Sequence, residues 1–217
     1  MNSLEVNCAG ETLQLFAARA AFWAKRKTLL IADTHLGKAS AFRHAGIAVP
    51  EQVTDADLQR LSNLLTFTQA ARLVVLGDLF HARAGKSEAT IKSVHIWREQ
   101  HLELQIDLLI GNHDRATGDL PNDWNIRATE EFREPPLLFA HEAREAEDAF
   151  GLFGHVHPAI FCDRMRLPCF HFWNDGGMLP AFGSFTGTHP IKPAAGDTVF
   201  AVRGDEIADV SNLLRCR

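Results

Sequence analysis

Cysteine is scarce in this sequence: Cys8, Cys162, Cys169 and Cys216 are all there is. The four lack the C-x-x-C spacing of a zinc site and are too few for a disulfide framework, which leaves buried or inert thiols. Between Met1 and Phe16 there is neither a basic leader nor a long apolar stretch, and no later run reaches the roughly 20 apolar residues of a membrane span. A cytoplasmic protein without a membrane partner is the expectation. Internal repeats, low-complexity tracts and an obvious linker are missing too, so Pro135-Pro136 reads as the start of a strand rather than a domain boundary. Nor is there an excess of positive charge, since 22 Lys and Arg against 27 Asp and Glu leave a net charge of −5. Proteins that grip long duplex DNA by neutralising many phosphates are usually basic, which argues against that mode of binding. The 217 residues, 46% of them hydrophobic, suffice for one core and a single domain over residues 1–217.

What the chain does have is a series of apolar runs, each ending in a polar motif. Thr28 to Ala32 leads into Asp33-Thr34-His35, Leu73 to Leu76 into Gly77-Asp78-Leu79-Phe80-His81, Ile106 to Ile110 into Gly111-Asn112-His113-Asp114, and Leu137 to Ala140 into His141. A fifth motif, Gly154-His155-Val156-His157, follows. The runs read as buried strands. Helical periods lie between them, one near Thr54 to Phe67 with Leu58, Leu61, Leu64 and Leu65 on one face, and one near Ser87 to His101 with Ile91, Val94 and Trp97. Strand, helix and strand again imply parallel crossover units, whose ligands collect beyond the carboxyl ends of the strands. Leu4 to Leu15 suggests an N-terminal hairpin, and Phe170 to Val202, rich in Gly, Phe and turn residues, suggests a mostly β second half.

Taken singly, most of these motifs have an ordinary structural explanation. An Asp at a strand end more often caps a turn than binds metal, and Gly-Asp simply favours turns. Gly-Asn-His-Asp and Gly-His-Val-His are stronger, because so many polar side chains after a buried strand must find partners. Their joint occurrence, in order, points to a metal centre. Mixed carboxylate, amide and imidazole donors suit Mn²⁺, Fe²⁺ or Zn²⁺, whereas an all-oxygen set would suggest Mg²⁺ or Ca²⁺.

The set D-x-H, G-D, G-N-H-D, H and G-H-x-H resembles the calcineurin-like metallophosphoesterase superfamily. That resemblance implies an α/β fold, a four-layer α-β-β-α sandwich with two facing mixed β-sheets flanked by helices. A narrower likeness rests on Ala32-Asp33-Thr34-His35-Leu36-Gly37-Lys38, Phe42 to Ile47 with Val49-Pro50, Gly111 to Arg115, and Leu179 to Phe185. These are similar to the small bacterial phosphoesterases associated with a DNA ligase and a helicase in repair gene clusters. The likeness implies two divalent ions, Mn²⁺ foremost with Fe²⁺ or Zn²⁺ as alternatives. Asp33, His35 and His157 would hold one, Asn112, His141 and His155 the other, and Asp78 would bridge them. A metal-bound hydroxide would attack phosphorus in line. His113 would protonate the leaving oxygen, with Asp114 fixing its orientation.

Some assignments stay open at this level. His81 competes with His141 as a ligand and is otherwise a substrate contact. Arg115 pairs either with a substrate phosphate or with a surface carboxylate, and Lys38 and Arg43 form a candidate phosphate-facing rim. Phe42, Phe80 and Trp173 are either core or platforms for unpaired bases. His44, His95, His101, His171 and His189 carry no assigned role. The implied activity is a metal-dependent phosphodiesterase acting on DNA in repair, as a single-strand endonuclease. The alternative is hydrolysis of a small nucleotide diester or a nucleotide-linked pyrophosphate, and a non-catalytic scaffold stands behind both.

Overall fold

The computed structural model describes residues 1–50, 52–162 and 164–214; Cys216 lies outside the described residues. The first sheet begins with the expected hairpin, β1 (Ser3–Cys8) against β2 (Glu11–Phe16), and continues antiparallel through β3 (Ala20–Trp23) to β4 (Thr28–Ile31). After β4 the chain forms α1 (Lys38–His44) and α2 (Val53–Thr68), then β5 (Arg72–Val75), α3 (Glu88–Gln100), β6 (Gln105–Leu109), α4 (Asn112–Thr117) and β7 (Ile126–Thr129). From β4 to β7 the pairing is parallel, as strand–helix–strand alternation requires.

The second sheet follows in sequence. β8 (Glu131–Glu134) and β9 (Leu137–Ala140) form a hairpin with Pro135 and Pro136 at its turn, and β10 (Phe150–Phe153) pairs parallel to β9. Then come β11 (Pro158–Cys162), β12 (Met165–Trp173), β13 (Gly176–Met178), β14 (His189–Pro190), β15 (Thr198–Arg203) and β16 (Glu206–Asp209), before the short α5 (Ser211–Leu214). The sheets have seven and nine strands.

Residue alternation explains how the two sheets stack. Along β4 and β5, Leu29, Ile31, Leu73 and Val75 point to one face and join Leu58, Leu61, Leu64 and Leu65 of α2 and Val94 and Trp97 of α3. Leu30, Ala32, Val74 and Leu76 point to the other face and meet Leu137, Phe139, Phe150, Leu152 and Phe170 of the second sheet. Strands covered on both faces need continuous apolar runs, and these have them. Each fully buried Leu or Phe contributes roughly 1.5–3 kcal/mol. The helical cover is uneven: the outer cluster of the second sheet, Ile160, Cys169, Val199 and Ala201, is joined by Val210, the residue just before the one-turn α5. Cys8 and Cys169 are buried, and burial pushes both thiols up to about 12. No helix among the described residues is long and apolar enough to cross a membrane.

The parallel registers of β4, β5 and β6, and of β9 and β10, bring their carboxyl ends to one edge of the stacked sheets. A bridge from Ala32 to Ala181 ties the sheets together there, and the Gly154 N–H donated to the His141 carbonyl extends the β9–β10 pairing.

Candidate metal centre

Five non-glycine residues at this edge adopt left-handed backbone: Asp33 (φ 51°), His35 (45°), Asp78 (53°), His155 (69°) and His157 (54°). Such conformations cost of order 1–3 kcal/mol each and persist only where the surroundings over-determine them. The surroundings here are a ladder between loops. Asp33 N–H donates to the Gly77 carbonyl (3.1 Å), His35 N–H to Asp78 (2.9 Å) and Leu36 N–H to Leu79 (2.8 Å), and the Thr34 hydroxyl also donates to Leu79 (2.8 Å). Two glycines permit the close approach. A Cβ on Gly77 would lie 2.0 Å from His141 Nδ1, and one on Gly111 would lie 2.2 Å from Asp78 Oδ1.

Both central carboxylates are held the same way. Asp33 Oδ2 accepts the His155 N–H (2.9 Å) and Asp78 Oδ1 accepts the His113 N–H (2.9 Å), so that each acid keeps its second oxygen for the centre. Asp33 Oδ1 sits 3.4 Å from His157 Nε2 and 3.9 Å from His141 Nδ1. Asp78 Oδ2 lies 3.8 Å from His35 Nε2, 3.6 Å from His141 Nε2 and 4.0 Å from His113 Nε2, placing it between the groups. Two carboxylate–imidazole triads result, Asp33–His35–His157 and Asp78–His141–His155, beside an all-imidazole group of His35, His81 and His113, each with its candidate ligand atoms within 4.8 Å of one another.

The imidazoles offer lone pairs inward. His141 Nδ1 lies 2.9 Å from the Leu76 carbonyl and His157 Nδ1 lies 3.0 Å from the Gly187 carbonyl. A carbonyl only accepts, so both Nδ1 atoms carry a proton and both Nε2 atoms are turned toward the centre, where a bound metal would take their electron pairs. His141 Nε2 is 3.1 Å from His155 Nδ1, and His35 Nε2 is 3.2 Å from His157 Nε2. Burial, reinforced by His157 and His113, drags the His35 pKa to about 2 and keeps that ring neutral. Burial lowers His157 too, but the nearby Asp33 carboxylate outweighs it and the net shift is upward. Asp78 is raised, chiefly by burial. Asp33 Oδ1 and His35 Nδ1 are buried with no hydrogen-bond partner. A buried carboxylate oxygen without a hydrogen-bond partner is costly unless a cation meets it, so this donor set fits two divalent ions.

The remaining sequence-selected residues divide. Asn112 Oδ1 lies 3.3 Å from His141 Nε2, beside the second triad. His113 stands at the rim, its Nδ1 donating to the His81 carbonyl and its ring stacked on that of His81 at 5.0 Å. Asp114 departs from expectation. Its carboxylate is taken up by three backbone N–H groups, those of Asp78 (2.8 Å), Leu79 (2.9 Å) and Gly111 (2.9 Å), so it staples two loops together and leaves His113 to be oriented by the His81 carbonyl. Arg115 pairs with Glu130, the carboxylate alternative. Arg43 donates to the Val49 (3.3 Å) and Pro50 (2.9 Å) carbonyls and braces its own loop. Lys38 is half-buried and forms no ion pair among the described residues; burial lowers its pKa.

Phe80 is core, fully buried and stacked on Trp124, and Trp173 stacks on Phe153; Phe42 alone of the three candidate platforms lies beside the centre, 6.4 Å from His81. Sequence reasoning missed the segment 182–187. Gly183 N–H donates to the Asp33 carbonyl (3.3 Å) and the Gly187 carbonyl sets His157, while Asp57 accepts the Ser184 N–H (2.9 Å) and pairs with Arg60 (2.9 Å). Leu179 to Phe185 is conspicuous in sequence, but nothing there indicates that its backbone holds a ligand.

Among solved structures, the chain is similar to the Pseudomonas putida nuclease MPE, with 37% identity over 92% of this chain and 96% of that one and a TM-score of 0.83. It also matches YfcE, a phosphoesterase from E. coli, at 15% identity over 85% of this chain and 98% of that one; the TM-score of 0.44 is too low to bear on function. No protein-family model and no curated protein matches the chain.

Proposed function

Since the chain belongs to the calcineurin-like metallophosphoesterases, in the family of the Pseudomonas putida nuclease MPE, and is a metal-dependent phosphoesterase, we propose that its substrate is DNA and that it cuts single strands internally. The observation that carries this reading is the pair of carboxylate–imidazole triads with Asp78 Oδ2 between them. Asp33, His35 and His157 would hold one divalent ion and Asn112, His141 and His155 the other, with Asp78 shared. When bound, the cations supply Lewis-acid polarisation of the phosphoryl oxygens and charge to neutralise the transition state. The mixed donor set suits Mn²⁺, Fe²⁺ or Zn²⁺ alike, and the family likeness puts Mn²⁺ first.

The chain's own groups do the rest. His113 gives its Nδ1 proton to a carbonyl, so Nε2 is the atom that faces the reaction, and a proton carried there passes to the leaving oxygen as the phosphodiester breaks. Asn112 and His155 are exposed while Asp33, His35, Asp78 and His141 are buried, so the centre is open on one side to a strand. A net charge of −5 weighs against wrapping a duplex and in favour of a short single-stranded contact. The motif context around Asp33 and Leu179 supports work in DNA repair beside a DNA ligase and a helicase, in the cytoplasm.

Circular single-stranded DNA incubated with the Mn²⁺-loaded protein tests this. Linear product is expected, and it disappears in His35→Ala and Asp78→Ala, which removes a contaminating nuclease as the source. Intact circles together with hydrolysis of small nucleotide diesters would overturn the DNA reading and install the small-substrate one.

A further inference from the structure

A row of rings leads out of the centre. His81 lies 5.3 Å from His35 and 5.0 Å from His113, Phe42 lies 6.4 Å from His81, and Phe185 meets Phe42 edge-on at 5.4 Å. Phe185 is 36% exposed and lines a crevice with His35, Gly37 and Lys38. Two other phenylalanines are exposed, but Phe67 packs edge-on to Phe16 and Phe161 lies under the Arg166 guanidinium. Phe185 differs in its setting. Its segment is fastened to the centre on both sides, by Gly183 on the Asp33 carbonyl and by Gly187 on His157, and Asp57 holds the adjoining Ser184 amide. An exposed aromatic on a segment this firmly held keeps its place without burying its face, and Lys38, which lines the same crevice, forms no ion pair among the described residues.

We propose that Phe185, braced edge-on by Phe42, is a nucleobase subsite: the base of the nucleotide next to the scissile phosphate stacks on it, and Lys38 meets the adjoining backbone phosphate. Only an unpaired base presents a free face for such stacking, which every base can offer regardless of sequence. An ammonium with no carboxylate partner among the described residues suits a phosphate as a point charge. The inference deepens the DNA reading above and rests on it.

The test uses single-stranded oligonucleotides in which one nucleotide is replaced by an abasic spacer, with cleavage by the Mn²⁺-loaded protein mapped linkage by linkage against the intact strand. The wild type is expected to cut about tenfold more slowly at a linkage on one side of the spacer, the effect of losing one stacked base. In Phe185→Ala that dip vanishes, because the intact strand is now cut as slowly there as the spacer strand, and in Phe185→Trp it returns. Equal cutting beside spacer and base by the wild type would overturn the subsite while leaving DNA cleavage standing. So would a Phe185→Ala protein that keeps the wild-type dip, the mark of a merely structural ring. Failure of the wild type to cut any strand would overturn the DNA reading itself, and the subsite with it.

Discussion

In the proposed reaction, His113 is the residue on which the chemistry turns. Its ring is 35% exposed, its Nδ1 is committed to the His81 carbonyl, and its Nε2 stands 4.0 Å from Asp78 Oδ2. If it acts as a proton donor outside the proposed ligand set, removing it leaves the centre filled. His113→Ala is expected to lower kcat by about 10²–10⁴, the usual worth of a positioned general acid, while the bound metal measured on the same preparation is unchanged. Loss of metal in that variant would instead make His113 a ligand, in the cluster it forms with His35 and His81. At this scale the sequence was informative wherever a side chain's chemistry is its function: Asp33, His35, Asp78, His141, His155 and His157 converge, and each follows an apolar run. It was silent where the partner is a backbone carbonyl. Leu76, His81 and Gly187 fix three imidazoles through an atom every residue possesses, so no residue type marks them. For the same reason Asp114 reads as a partner of its neighbour His113, when its actual partners include the amides of a loop more than thirty positions earlier.

Among the elements, loops rather than helices or strands decide the geometry. β4, β5, β6 and β9 were legible as apolar runs, and α2 and α3 as helical periods. The segment 182–187 was not, because its part is played by main-chain groups and by Asp57 and Arg60 on α2. Asp57 is buried, paired with Arg60 and accepting from Ser184, so its removal strands a guanidinium and frees the segment that sets His157. Breaking a buried pair costs about 3–5 kcal/mol, and the partial exposure of Arg60 puts this one near 3. Asp57→Ala should therefore lower the free energy of unfolding in urea by about 3 kcal/mol and weaken metal retention as well. A change of a few tenths of a kcal/mol, with metal retained, would show that the segment stands without this support.

At the scale of the whole molecule, the two sheets form a frame whose shared edge gathers residues from five loops. The parallel order of β4 to β7 and of β9 with β10 puts every motif at one end, so the linear order of the motifs becomes a single site. That convergence was readable from strand–helix alternation. The mostly β character of Phe170 to Val202 was readable too, from its turn residues, and it leaves the outer face of the second sheet with little helical cover. Within this frame the left-handed backbone of five centre residues and the unpaired Asp33 oxygen are sustained against their own cost, and two cations are what would offset it. Metal stoichiometry tests this most directly. Titration of the metal-free protein with Mn²⁺, read by calorimetry and by elemental analysis of the saturated protein, should give two ions per chain, falling to one or none in Asp78→Ala. A wild-type protein that saturates with a single ion, or an Asp78→Ala protein that keeps both, would contradict the two-ion centre.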